Sequence, residues 1–193
     1  MSKSQLLPSA VLDAQPLADS GVFTLAGDVC LESVLPIVEG IIATRFLPEW
    51  EQPQQITIML NTPGGDGAAM WQLIDNMCLC QIPICTMGFG QVASAGIFIL
   101  AAGDKGLRYI SPNTMLMSHQ YSTGYGGKEH ELQSAVKEVS IISEMMMAHY
   151  IKHTGKSETY IRKHLLPASD CYLTPAEAVK HGIADKILGI PVK

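Results

Sequence analysis

The chain has 193 residues, 47% of them hydrophobic, with a formal net charge of -5 at pH 7 and a pI near 5.6. That length suits one well-packed α/β domain and is short for two large ones. The acidic balance, with no Lys/Arg run or basic-aromatic interleaving, excludes a nucleic-acid footprint; the longest apolar run is well short of a bilayer span, and residues 1–15 lack the pattern of a secretory signal.

Residues 1–20, with Pro8 and Pro16 among small polar residues, read as an amino-terminal arm preceding a single domain over 21–193. A strand is expected over 22–25, then a helix over 31–46 with Val34, Val38, Ile41 and Ile42 on its apolar stripe and Pro36 near its start. After a linker at 48–53, residues 56–60 form a β-rich apolar run ending in the turn NTPGGDG, residues 61–67. The following helix carries Met70, Leu73, Ile74 and Met77 on one face, and 84–87 reads as a short buried strand. This βαβ alternation predicts a largely parallel sheet whose ligands gather at the strands' carboxyl ends.

Residues 88–103, GFGQVASAGIFILAAG, put Ser94 at the junction of that strand with an all-apolar helix over 95–102. Strands over 107–110 and 115–118 come next, and His119 sits just beyond the second. Glycines 124, 126 and 127 make a loop before one long helix over 128–153, with Leu132, Val136, Val139 and Met146 near one stripe and Gly155 as its stop. A surplus apolar face on this helix would suit a subunit interface or ordinary packing on its own sheet. Thr174, Pro175 and Glu177 spell a capped helix start, and Gly182 its end.

A hydroxyl nucleophile needs a base, a group that orients the base, and donors for the oxyanion. Ser94 is a candidate nucleophile, although Ser is equally a preferred helix cap. His119 is a candidate base, Gly65 and Ala95 can present backbone N–H groups, and Asp170 leads Asp185 and Asp66 as orienting carboxylate. His149 and His153 stand four apart, which is ligand spacing, but without a third ligand they read as a solvated face. Cys30, Cys78, Cys80, Cys85 and Cys171 form an odd set without a CxxC; Cys78, Cys80 and Cys85 fall on apolar faces, so the set reads as reduced and cytosolic, with no metal. The glycine turn lacks the GKS or GKT ending of a P-loop.

Several separated motifs, in order, then carry a resemblance: NTPGG at 61–65, GQVASAG at 90–96, LAAGDKGLRY from Leu100, PN at 112–113, MLMSHQ ending at Gln120, and DCYLTPAEAVKHGIADKI from Asp170. Together they resemble the ClpP family, the proteolytic subunits of the caseinolytic (Clp) serine protease. The resemblance implies an α/β, ClpP/crotonase-like fold of repeated β-β-α units with a long protruding handle helix. It implies Ser94 as nucleophile, His119 as general base, Asp170 as the residue orienting it, and Gly65 and Ala95 as oxyanion donors. It also implies a cytoplasmic homo-oligomer of two stacked seven-membered rings that degrades unfolded proteins and short peptides. No cofactor is implied, ATP being used only by a partner unfoldase. The arm does not resemble the family's axial-loop segment, and Tyr121 replaces the Pro common after HQ. Two other readings fit parts of the pattern: a crotonase-like acyl-CoA enzyme, which shares the oxyanion donors without needing the triad, and a non-catalytic ring subunit.

Overall fold

The computed structural model describes residues 20–189, so the expected arm lies outside the described residues but for Ser20. In chain order the elements are β1 (Val22–Ala26), α1 (Leu31–Thr44), β2 (Ile56–Thr62), α2 (Gly67–Leu79), β3 (Ile84–Ala93) and α3 (Ala95–Ala101). Then follow β4 (Arg108–Ile110), β5 (Met115–Ser118), the long α4 (Glu129–Thr154), α5 (Glu158–His164), β6 (Cys171–Leu173), α6 (Pro175–His181) and β7 (Lys186–Ile187). The strands make one sheet in the order β1-β2-β3-β4-β7, all parallel, with β5 pairing parallel to β3 and antiparallel to β6. This is the expected α/β architecture with its long helix, and none of the described helices is long and apolar enough to cross a membrane.

The apolar faces bury where a 3.6-residue period puts them. Along α1 the buried stripe is Val34, Ile37, Val38 and Ile41, while Ile42, expected on it, is 38% exposed. On α2, Met70, Leu73, Ile74 and Met77 are all buried as read. Along α4 the burial concentrates in the second half, at Met146, Met147, His149 and Tyr150, with Ala135 alone buried in the first; Leu132 and Val136, expected on the same stripe, are 42% and 70% exposed. Helix ends follow the local chemistry. Gly155 and Gly182 close α4 and α6 at φ 69° and 83°, and Thr174 with Glu177 forms the capping box of α6.

Strand β3 is longer than its sequence suggests, and its second half positions the site. Thr86–Gly88 pairs with β4, whereas Gln91–Ala93 pairs with β5. Between them Gly90 takes φ 61°, and a Cβ there would come 2.9 Å from Asn61 Oδ1. One strand thus changes partners across a glycine bend, which a glycine-rich sequence disguises as a turn.

A buried histidine ties α4 to α3 and α2. His149, expected on a solvated face, is 6% exposed; its Nε2 donates to the Phe98 carbonyl at 3.0 Å and its ring lies among Trp71, Phe98 and Tyr150. Stacked on it at 4.3 Å between centroids is His153. Burial, then the neighbouring His153, lowers His149 to about 3, and burial, then Lys152 and Arg108, lowers His153 to about 4. Both imidazoles titrate near 6.5 when unfolded, so the folded chain binds fewer protons and its stability is full above about pH 6.5 and lost as pH falls. His149 alone should steepen this by up to about 1.4 kcal/mol per pH unit. Thermal unfolding followed from pH 7.5 to 4.5 should show a falling midpoint, flattened in His149→Phe; a midpoint constant over that range in the wild type contradicts the buried neutral state.

The cysteines separate by environment: Cys85 is buried, Cys30, Cys80 and Cys171 are half-buried, and Cys78, expected on an apolar face, is exposed. Its helix turns it outward beside Lys152, whose Nζ stands 3.7 Å from Sγ.

Candidate active site

Parallel strands carry their carboxyl ends to the same edge, and that is why two residues distant in sequence meet. Ala93 pairs with Met117, and the Ser94 N–H donates to the Met117 carbonyl at 2.8 Å. Ser94 therefore leaves the end of β3 as His119 leaves the end of β5, and His119 Nε2 lies 2.7 Å from Ser94 Oγ. The other ring nitrogen, Nδ1, is 2.5 Å from the Gln120 carbonyl oxygen. A carbonyl only accepts, so Nδ1 carries the proton and the Nε2 lone pair faces the Ser94 hydroxyl. That is the tautomer a general base needs.

Ser94 takes φ 52° and ψ -121°, and among the described residues it is the only non-glycine with positive φ. Such a conformation costs on the order of 1–3 kcal/mol and persists where surrounding structure enforces it. Here it makes a sharp strand-to-helix turn that lifts Oγ clear of the sheet, as in nucleophile elbows. Ser94 is also the residue preceding α3, but its side chain makes no capping bond, so its hydroxyl remains with His119.

The turn after β2 closes over this elbow. Gly64 and Asp66 clamp Val29: the Val29 N–H donates to the Gly64 carbonyl at 2.8 Å and the Asp66 N–H to the Val29 carbonyl at 2.7 Å. Gly65, at φ 148°, has no room for a Cβ, which would sit 2.3 Å from the Val29 carbonyl oxygen. The N–H groups of Gly65 and Ala95 find no acceptor among the described residues, and both residues line the cavity on which Ser94 opens. Gly64 packs still closer: a Cβ there would stand 2.5 Å from that of Ser94. Gly64→Ala, which pushes Ser94 out of line with His119, should lower kcat/KM for a short peptide by about 100-fold or more. A turnover within threefold of wild type would show that the elbow tolerates the shift.

Of the three carboxylates considered, two are occupied elsewhere. Asp66 caps α2, accepting the Ala69 N–H at 2.7 Å, and Asp185 is bound to Arg108. Asp170 precedes β6, whose antiparallel register against β5 runs Leu116 to Leu173, Met117 to Tyr172 and Ser118 to Cys171. The next rung sets Asp170 beside His119, and the two line one cavity of about 500 Å³. Asp170 is exposed, and no hydrogen bond joins it to His119, whose Nδ1 is held by Gln120 instead. A main-chain carbonyl has no signature in sequence, so Gln120's part was not legible there.

Behind His119, Ser118 is fully buried and bonds both the Tyr150 hydroxyl and the Leu165 carbonyl at 2.6 Å. Burial raises the Tyr150 phenol well above its ordinary range, so it stays protonated. These bonds pin the end of β5 to α4 and α5 and so fix where His119 starts. On the open side, Ser94, Ala95 and His119 border a cavity of about 410 Å³ walled by Met70, Trp71, Phe98, Met145 and Met146. No group of three or more metal-ligating side chains occurs among the described residues.

A hydroxyl paired with an imidazole, two unpaired backbone donors and an apolar cleft constitute the parts list of acyl transfer. The family model described as Clp protease matches residues 34–191. The chain belongs to the Clp protease family. A relative, the ATP-dependent Clp protease proteolytic subunit of Deinococcus radiodurans, is 31% identical over 153 residues, which make up 79% of this chain and 74% of that protein. As a Clp protease family member the chain is a ClpP-like peptidase, and Ser94, His119 and the glycine turn all fall within the matched residues.

Proposed function

We propose that this chain is a serine endopeptidase in which Ser94 attacks a peptide carbonyl, His119 takes its proton and returns it to the leaving amine, and water releases the acyl-enzyme. The observation that carries this reading is the 2.7 Å contact of His119 Nε2 with Ser94 Oγ on the strained elbow. Gly65 and Ala95 donate to the oxyanion through N–H groups that have no acceptor among the described residues. Asp170 is the carboxylate that stabilises the imidazolium, reached when its side chain replaces the Gln120 carbonyl at Nδ1; its position opposite His119, on the rung after Ser118 and Cys171, supports this. A crotonase-like acyl-CoA reaction calls for the oxyanion donors but not for the Ser94 and His119 pair.

The wider reading is a cytoplasmic homo-oligomer of two stacked seven-membered rings, fed by an ATP-using Clp-type unfoldase and needing no cofactor of its own. The solvent-facing apolar row of Leu132 and Val136, which with Tyr125 borders a small apolar groove, supports self-association through α4. The relative's name, a proteolytic subunit of an ATP-dependent protease, supports the ATPase partner. The test is reaction of the purified protein with a fluorophosphonate probe and with short fluorogenic peptides. Labelling at Ser94 together with peptide cleavage is expected; an assembled protein that neither labels nor cleaves is not a serine peptidase.

A further inference from the structure

Three cavities meet around one side chain. Tyr121 borders the 410 Å³ cavity that opens on Ser94, the one that holds Asp170, and a third of about 430 Å³ behind α4. Only Tyr121 and Met146 are common to the first and the third, so these two side chains form the partition between them. The partition also separates two chemistries. On the Ser94 side apolar walls, Met70, Trp71, Phe98 and Met145, predominate over Ser122 and Glu138; on the far side the walls include Ser140, Ser143, Glu144 and the exposed ion pair of Glu158 with Arg162.

We propose that Tyr121, backed by Met146, is the specificity-determining residue that closes the bottom of the substrate side-chain pocket and sets how large a residue this chain accepts before the scissile bond. The inference rests on Ser94 being the nucleophile: the acyl residue stays attached to Oγ, so its side chain enters the cavity that opens directly there. Tyr121 is half-buried and packs against the core, which holds the ring as a fixed wall rather than a mobile flap. Its hydroxyl makes no hydrogen bond among the described residues, so the ring rather than the hydroxyl does the closing. Removing the ring leaves Met146 alone between the two cavities and so opens the mainly apolar one toward a more polar one of like volume.

The experiment compares kcat/KM for peptides that differ only in having Leu or Trp before the scissile bond, in the wild type, Tyr121→Ala, Tyr121→Leu and Tyr121→Phe, with active sites counted by fluorophosphonate labelling. Pocket-size changes of this kind shift discrimination by about 10- to 200-fold. The Trp-to-Leu ratio is expected to rise at least tenfold in Tyr121→Ala, by less in Tyr121→Leu, and not at all in Tyr121→Phe. If Tyr121→Ala does not fold, the graded rise in Tyr121→Leu carries the result. Unchanged ratios with normal labelling overturn the wall, as does an equal rise in Tyr121→Phe, which would give the role to the hydroxyl. A wild type that neither labels nor cleaves removes the peptidase reading and the inference with it, whereas normal wild-type labelling with unchanged ratios removes the inference alone.

Discussion

Replacing Ser94 with alanine should lower peptide turnover by at least about 10⁴-fold and abolish fluorophosphonate labelling, with the thermal midpoint unchanged. The side chain's bond is to His119, and alanine bears the same backbone strain at φ 52° as serine, so nothing structural is withdrawn. Residues that act as one chemical unit lose activity non-additively. Consequently His119→Ala and the double variant should fall to about the same residual rate as Ser94→Ala. Peptidase assays at saturating enzyme, with intact assembly checked by sedimentation, decide it; a Ser94→Ala protein retaining more than a hundredth of wild-type turnover would move the chemistry elsewhere.

The largest loss of stability is expected at Asp185→Ala. Arg108, with a side chain 4% exposed, donates through Nε and one terminal nitrogen to the two Asp185 oxygens at 2.9 and 2.6 Å. Its other terminal nitrogen reaches the carbonyls of Gly182 at 2.8 Å and His153 at 2.9 Å, at the carboxyl ends of α6 and α4. One guanidinium thus neutralises the negative ends of two helices while its own charge is matched by Asp185. Removing the carboxylate leaves a buried cation unpaired, at a cost of about 3–5 kcal/mol, a large part of a typical domain's stability of about 5–15 kcal/mol. Denaturant unfolding measures it directly, and a loss under about 1 kcal/mol would mean that water reaches the site. Burial raises the Asp185 carboxyl, but Arg108 and the N–H groups of Gly106 and Arg108 outweigh it and hold it below the ordinary value. Its contribution is therefore present above the unfolded carboxylate range and disappears as pH falls below it.

The elements were legible where one local signal sufficed. A 3.6-residue apolar period marked α2, a glycine in the left-handed region ended α4 and α6, and a Thr-Pro-x-Glu start announced the last helix. Reading failed where two partners compete for one segment. Residues 84–87 read correctly as strand, but the second half of β3 was missed because its glycine bend serves a change of neighbour that only the sheet reveals. His149 and His153 looked solvated because a helix face gives no sign of which neighbouring elements will cover it, here Trp71 of α2 and Phe98 of α3.

The site divides along the same line. Sequence by itself marked out Ser94, His119, Gly65, Ala95 and Asp170, because these depend on residue type and on ordered motifs. What the tertiary structure decided is which of them touch. Parallel pairing of β3 with β5 puts His119 at hydrogen-bond distance from Ser94, and the antiparallel pairing of β6 brings Asp170 opposite His119 without a hydrogen bond between them, leaving the Gln120 carbonyl at the imidazole. It also decided that Asp66 and Asp185 cap a helix and pair with an arginine. The physical reason is that chemical identity is carried by single residues, whereas distance between strand ends is set by sheet register, which is a property of the whole chain's packing.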